Sequence, residues 1–134
     1  MLYAKTLRVP AHRAESTPAV ADLNLTDGVI TSIEVEFQFG CNGLVSAYVL
    51  QGLHQIWPTN PDGRARGNGA VVRSSEHLDL HGLPDTVTLC GYSPDCAYLH
   101  DIGFRIEITP REIAERGAKL DTWIDRIGRI LGLR

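Results

Sequence analysis

The chain has few of the residues from which small proteins build covalent or metal-bound frameworks. It contains 3 cysteines in 134 residues, namely Cys41, Cys90 and Cys96, an odd number without a Cys-x-x-Cys pair. This set excludes a disulfide framework and a cysteine zinc site. We therefore expect three free thiols that fill the core as small apolar side chains, as in a protein of a reducing compartment.

Long hydrophobic runs and an excess of basic charge are also missing. No run approaches the roughly 20 apolar residues of a membrane helix, and the start, Met-Leu-Tyr-Ala-Lys-Thr, lacks the apolar core of a signal peptide. The net charge of −3 argues against broad nucleic-acid binding. We expect one domain, made in a cytoplasm, with neither a membrane nor a nucleic acid as its partner.

Two long runs of alternating apolar and polar residues are present, at 29–39 and 99–109. The predicted inner face of the first comprises Val29, Thr31, Ile33, Val35, Phe37 and Phe39. That of the second comprises His100, Ile102, Phe104, Ile106 and Ile108. A period of two indicates strands with one buried face, and two such strands favour a sandwich or barrel.

Shorter apolar segments between turn residues complete the predicted sheets. Residues 19–39, with Asp27-Gly28 between two apolar runs, predict a hairpin. Residues 44–50 are apolar enough to predict a strand that is either central or buries its second face elsewhere. About eight short strands predict an antiparallel β-sandwich of jelly-roll type over residues 1–109, with residues 1–18 as a candidate extended arm.

A C-terminal amphipathic helix is predicted over residues 110–134. Thr109-Pro110-Arg111-Glu112 is a capping box with proline at the first helical position. An apolar stripe follows, formed by Ile113, Gly117, Leu120, Ile124, Ile127 and Leu131 with Trp123 and Ile130 beside it. The stripe either closes the sandwich of its own chain or packs against another subunit, and the pattern leaves both open.

Charge differs between the two predicted parts of the chain. Residues 1–109 contain seven basic and twelve acidic residues, whereas residues 110–134 contain six basic and four acidic ones. The mildly basic tail therefore suits an acidic surface, either on its own chain or on a neighbour.

Two arginines lie in the clearest predicted loop, residues 58–70. Arg64 and Arg66 have glycines on both sides, so they either grip an anionic group of a neighbour or belong to a solvated loop tip. The interface hypothesis comprises Arg64, Arg66, Ile113, Leu120, Trp123, Ile124, Ile127 and Leu131.

Catalytic, metal-binding and cofactor chemistry find little support in the sequence. His54 and His100 allow a cupin-like metal enzyme as an alternative, but no closely spaced histidine pair is present, and a hydrogen-bonded core histidine explains His100 better. Glu34 and Glu36 fit a solvated strand face. Trp57 beside Pro58 allows a carbohydrate-binding or host-recognition module. We therefore assign no catalytic residue, no metal and no cofactor.

The order of several short segments resembles that of a known class of proteins. These segments are Thr17-Pro18, Asp27-Gly28-Val29-Ile30, Phe39-Gly40-Cys41, Gly43-Leu44-Val45, the run from Gly52 to Pro58, and Leu99-His100-Asp101-Ile102. In this order they resemble small β-sandwich structural proteins of tailed bacteriophages, which decorate or cement heads and necks. The resemblance implies a non-enzymatic virion component, a homo-oligomer such as a trimer or ring, bound to major capsid or portal-proximal proteins.

Overall fold

In the computed structural model, which describes residues 1–80 and 86–114, eight strands form two antiparallel four-stranded sheets. The strands are β1 (Leu2–Val9), β2 (Ala19–Asn24), β3 (Val29–Glu36), β4 (Ser46–Gln51), β5 (His54–Trp57), β6 (Val71–Asp79), β7 (Thr86–Tyr92) and β8 (His100–Thr109). The first sheet has the order β1-β8-β3-β6, and the second has the order β2-β7-β4-β5. The predicted mainly-β antiparallel sandwich is confirmed.

The pairing of the strands is nested along the chain. β1 pairs with β8, β2 with β7, β3 with β6 and β4 with β5. Contacts of β3 with β8 and of β4 with β7 then join these pairs into sheets. This rolled-up arrangement of eight strands in two sheets is a jelly roll.

The core lies between the two sheets and follows the predicted alternation most closely on β8. All five residues predicted for its inner face are buried. Opposing apolar side chains come from β4 and β7 of the second sheet, among them Val49 and Leu89. Because β8 lies inside the first sheet, its period-two pattern is preserved along its whole length.

The predicted inner face of β3 needs two corrections. A bulge at Thr31 shifts the register against β8 between Ile30 and Ser32, so Ile30 is fully buried and Thr31 only half-buried. Phe39 lies beyond the end of β3, and its side chain is 83% exposed. An inserted residue reverses the alternation locally, which a strict period of two cannot anticipate.

The predicted hairpin over residues 19–39 is wrong. β2 pairs with β7 in the second sheet, whereas β3 lies in the first sheet. The connection between them, which contains Asp27-Gly28, therefore crosses between sheets and carries the buried Leu25. Both strands still bury one face in the same core, so the pattern of apolar residues is the same as in a hairpin.

The candidate arm over residues 1–18 is corrected for its first half. Residues 2–9 form β1 and pair with β8 from Leu2 opposite Glu107 to Val9 opposite His100. Residues 10–18 form the predicted loop, which is tied to Ser93 at two points, since the Ser93 backbone N–H donates to the Arg13 carbonyl and the Ser93 hydroxyl donates to the Pro10 carbonyl, each at 2.8 Å. The N-terminal segment is thus an integral edge strand of the first sheet.

The predicted helix begins where the capping box places it. Residues 111–114 are helical, and the backbone N–H groups of Ile113 and Ala114 donate to the Pro110 carbonyl at 3.0 and 3.1 Å. The remainder of the predicted stripe, including Leu120, Trp123, Ile124, Ile127 and Leu131, lies outside the described residues. No helix in the described part of the chain is long and apolar enough to cross a membrane.

One hydrogen bond links the two sheets along the edge formed by β5 and β6. The Trp57 indole Nε1 donates to the Ser74 hydroxyl at 2.6 Å. We expect Ser74→Ala to lower the free energy of unfolding by about 1–2 kcal/mol, because it leaves a part-buried indole N–H without its acceptor. Urea unfolding checks this against Ser75→Ala, an exposed neighbour on the same strand. Equal losses for the two variants would contradict it.

Candidate interaction surfaces

Loop 58–70 continues the second sheet beside β4 and places Arg64 over its outer face. The backbone groups of Ala65 and Ala47 exchange two hydrogen bonds of 2.9 Å, which fix the middle of the loop beside β4. The predicted central position of β4 is confirmed, since it lies between β7 and β5. The loop also explains why β4 is apolar on both faces, because each face is covered.

Arg64 covers two tyrosines on this outer face. Its guanidinium carbon lies 4.2 Å from the centroid of the Tyr48 ring and 6.0 Å from that of Tyr92. The two rings meet edge-on at 6.2 Å. A guanidinium over an aromatic face is stabilised by the ring quadrupole, so Arg64 covers and stabilises a small aromatic cluster.

Both predicted interface arginines are engaged within their own chain. Arg64 Nη1 donates to Gln55 Oε1 at 2.8 Å, and Arg66 Nε donates to the Ser46 hydroxyl at 2.8 Å. Neither is therefore a free arm, and a contact with a neighbour would require these bonds to break. The sequence signal that could have indicated this contact is a tyrosine at an outward position on each of two adjacent strands, Tyr48 on β4 and Tyr92 on β7.

Gln55 organises the rest of the same loop. Its side-chain nitrogen donates to the carbonyl groups of Pro58, Asn60 and Gly63 at 2.9–3.1 Å. One amide thus replaces the backbone pairing that a loop without regular structure cannot make for itself. Loop 58–70 is an ordered part of the sandwich.

Trp57 cannot serve as a sugar-stacking platform. Its side chain is buried in the main core, and its only polar group donates to Ser74. Stacking on a sugar requires an exposed ring face, so the carbohydrate alternative loses the residue on which it rested.

The two histidines of the cupin-like alternative lie far apart in the fold. His54 is exposed at the start of β5, at the end of the sandwich where β4 turns into β5. His100 is buried at the opposite end, where β8 begins beside Val9. The expected hydrogen bond of His100 is not found at its buried Nε2, which has no partner in the described part of the chain. Within residues 1–80 and 86–114, no group of three His, Cys, Asp or Glu side chains could hold a metal ion.

A shallow depression lies on the outer face of the first sheet. It measures about 350 Å³ and is lined by Thr6, Glu36, Gln38, Asp101 and Gly103. Gly103 forms its floor because it has no side chain, and Thr6 and Glu36 lie directly opposite Gly103 on the flanking strands.

The carboxylates around this depression are paired with arginines. Arg105 bonds to both Glu34 and Glu36, and Arg8 bonds to Asp101 at 3.1 Å. The hydrogen bond to Glu34 raises the pKa of the Arg105 guanidinium. The interpretation of Glu34 and Glu36 as a polar outer face agrees with this arrangement, which holds cross-strand ion pairs.

A guanidinium clamp attaches the start of the C-terminal segment to the sandwich. Arg111 bonds both carboxylate oxygens of Asp27, at 2.9 and 3.2 Å, and Asp79 at 2.9 Å. These hydrogen bonds raise the pKa of Arg111. Ile113, the first residue of the predicted apolar stripe, is 58% exposed beside this clamp.

Comparisons with known proteins give only distant structural similarity. No protein-family model matches the chain, and no curated protein matches it. A chain of Bacillus endospore appendages, described as a novel family of disulfide-linked pili, is 14% identical with a TM-score of 0.40, over 82% of this chain and 88% of that one. The Tobacco streak virus coat protein is 11% identical with a TM-score of 0.35, over 81% and 86%. Scores this low transfer no function to this chain.

The thiols of this protein are free and buried, and burial shifts the pKa values of two of them, Cys41 and Cys90. Burial raises the pKa of Cys90 from near 9 to about 11, and it raises the pKa values of Cys41 and Tyr48 as well. The folded state therefore favours the protonated thiol. The protonated thiol therefore contributes fully to the stability of the folded state below pH 9, and this contribution is lost as the pH rises toward 11.

We expect the free energy of unfolding to fall between pH 9 and 11, by at most roughly 1.4 kcal/mol per pH unit for each thiol. Cys90→Ala should flatten this dependence. Urea titrations at fixed pH values measure it, with Ser75→Ala as the control. A slope that is unchanged in Cys90→Ala would contradict the assignment.

Proposed function

We propose that this protein is a non-enzymatic structural component of a tailed-bacteriophage virion that acts through multimeric contacts. In this proposal it decorates or cements the head, or belongs to the neck. Its partners are further copies of itself, as a trimer or ring, and major capsid or portal-proximal proteins. It is made in the host cytoplasm, needs no cofactor, and resides in the virion.

The observation that carries this proposal is the geometry at the start of the C-terminal segment. The Arg111 clamp fixes the first turn of the predicted helix beside Asp27 and Asp79, while Ile113 stays 58% exposed beside it. An exposed isoleucine that begins an apolar stripe supports a contact with a second subunit, since burial is worth about 25 cal/mol per Å² of apolar surface.

The proposed interface continues along the predicted stripe. Beyond Ile113 it comprises Leu120, Trp123, Ile124, Ile127 and Leu131. Arg64 and Arg66 contribute only indirectly, by holding loop 58–70 against its own sheet. In a closed symmetric assembly every copy buries the same surface, so all of these contacts are made without forming fibres.

We expect full-length protein to be a multimer at micromolar concentration, and we expect Leu120→Asp with Ile124→Asp to reduce its mass. An aspartate pair in an apolar contact leaves unpaired charges buried, which lowers affinity by at least tenfold. Light scattering measures the mass, and circular dichroism reports the fold. Glu112→Gln, an exposed change in the first helical turn, is the matched control.

Two results would contradict the proposal. The first is that full-length protein is monomeric at every concentration, because such a protein does not self-assemble. A double variant that unfolds without dissociating assigns the stripe to the core of its own chain. A mass-spectrometric inventory of purified virions tests the virion location, because a structural component is present there in many copies.

A further inference from the structure

The sequence Asn-Gly occurs twice in loops of this chain, at Asn42-Gly43 and at Asn68-Gly69. An asparagine side chain reacts most readily with its own backbone when glycine follows it, because glycine has no Cβ that would hinder the approach. The backbone nitrogen of the glycine attacks the asparagine Cγ, and the closeness of the two groups along the chain favours this reaction. Since the local chemistry is the same at both places, the structure around each decides which one reacts.

The reaction converts the asparagine amide into a carboxylate in two stages. In the first stage the glycine nitrogen forms a bond to Cγ, the bond from Cγ to Nδ2 breaks, and ammonia leaves with the proton of the glycine N–H. In the second stage water adds to one of the two carbonyl groups of the resulting succinimide and opens the ring. The product is aspartate or isoaspartate, and the only co-reactant is water.

Asn42 and Gly43 form the exposed corner of a tight turn. The Leu44 N–H donates to the Cys41 carbonyl at 2.8 Å, and the two central residues have φ values of +49° and +71°, as in a type I′ turn. The Asn42 side chain is exposed and makes no hydrogen bond within the described part of the chain. A Cβ on Gly43 would meet no atom within 4 Å, so the corner is surrounded by solvent.

The reacting nitrogen of Gly43 is held by one long hydrogen bond. Its N–H donates to the Gly67 carbonyl at 3.3 Å, whereas most such bonds measure roughly 2.7–3.2 Å. The reaction requires this nitrogen to turn away from Gly67 and toward the Cγ of Asn42. A surface turn with few packed neighbours opens locally at a low free-energy cost, so the two reacting groups can meet in the folded protein.

Asn68-Gly69 is held on both sides of the bond that would react. The Asn68 Oδ1 accepts the Gly40 N–H at 2.8 Å, which fixes the side-chain amide. The Gly69 N–H donates to the Gln38 carbonyl at 3.1 Å. The Phe39 ring lies on Gly69, since a Cβ there would overlap three carbons of the ring. The reaction would have to break both hydrogen bonds and displace the ring.

We propose that Asn42 is a site of spontaneous deamidation in the folded protein and that Asn68 is protected from the same reaction. This inference does not depend on the proposed function, since it requires only one chain and water. The connection between β3 and β4, residues 37–45, contains no charged residue. Deamidation therefore places a first negative charge on it, between Phe39 and Leu44, which are 83% and 41% exposed.

The first experiment compares both sites in one sample of folded wild-type protein. After incubation in mildly alkaline buffer, trypsin separates the sites, because Asn42 lies in the peptide 14–64 and Asn68 in the peptide 67–73. Fragment masses then measure the amide that remains at each asparagine. We expect Asn42 to react about tenfold faster or more, which is the effect of about one hydrogen bond on a rate. Equal rates, or faster loss at Asn68, would overturn the proposal.

Unfolded protein provides the intrinsic rates of the two sequences. In concentrated urea both sites lose their surroundings, so we expect their rates to agree within about twofold. This comparison separates the effect of the fold from that of flanking residues. If Asn42 keeps its amide in the folded protein over the time in which it reacts in urea, the turn does not open and the proposal is wrong.

The second experiment tests the protection of Asn68 directly. We expect Phe39→Ser to raise the rate at Asn68 relative to that at Asn42, because Gly69 loses the ring that covers it. Circular dichroism confirms the fold, and Val71→Ser, which removes a 48% exposed apolar side chain two positions after Gly69, is the matched control. A ratio of rates that is the same in both variants would contradict the protection by Phe39.

Discussion

Burial of alternate side chains of β8 between the two sheets is the interaction on which the rest of the structure depends. β8 lies between β1 and β3, and Ile102, Phe104 and Ile106 are fully buried on its inner face. Its register positions the first strand of the chain beside the last, so the sandwich closes only through contacts that are distant in sequence. Such non-local pairing makes each strand depend on the whole assembly.

The outer faces of the two sheets carry different interactions. The first sheet carries ion pairs on its outer face, such as that of Arg105 with Glu34. The second sheet buries part of its outer face beneath loop 58–70, where Arg64 covers Tyr48. Exposed apolar side chains lie both at the ends of the sandwich, such as Leu53 and Ile113, and within a strand, such as Val20.

The two ends of the sandwich expose different residues. The end where β7 passes into β8 exposes Phe39 and Tyr98, and its connections also carry charged residues such as Arg13 and Asp95. The opposite end carries the Arg111 clamp and the exposed Ile113.

Local sequence determined the strands and the helix start, because side-chain periodicity and capping are properties of neighbouring residues. Local sequence was enough to predict the inner face of β8 and the start of the helix at Pro110. Only the tertiary structure decided that β2 pairs with β7, that Trp57 is buried and that Phe39 is exposed. These features depend on which distant residues cover a given face, and a bulge or a crossing between sheets leaves no periodic signal in the sequence.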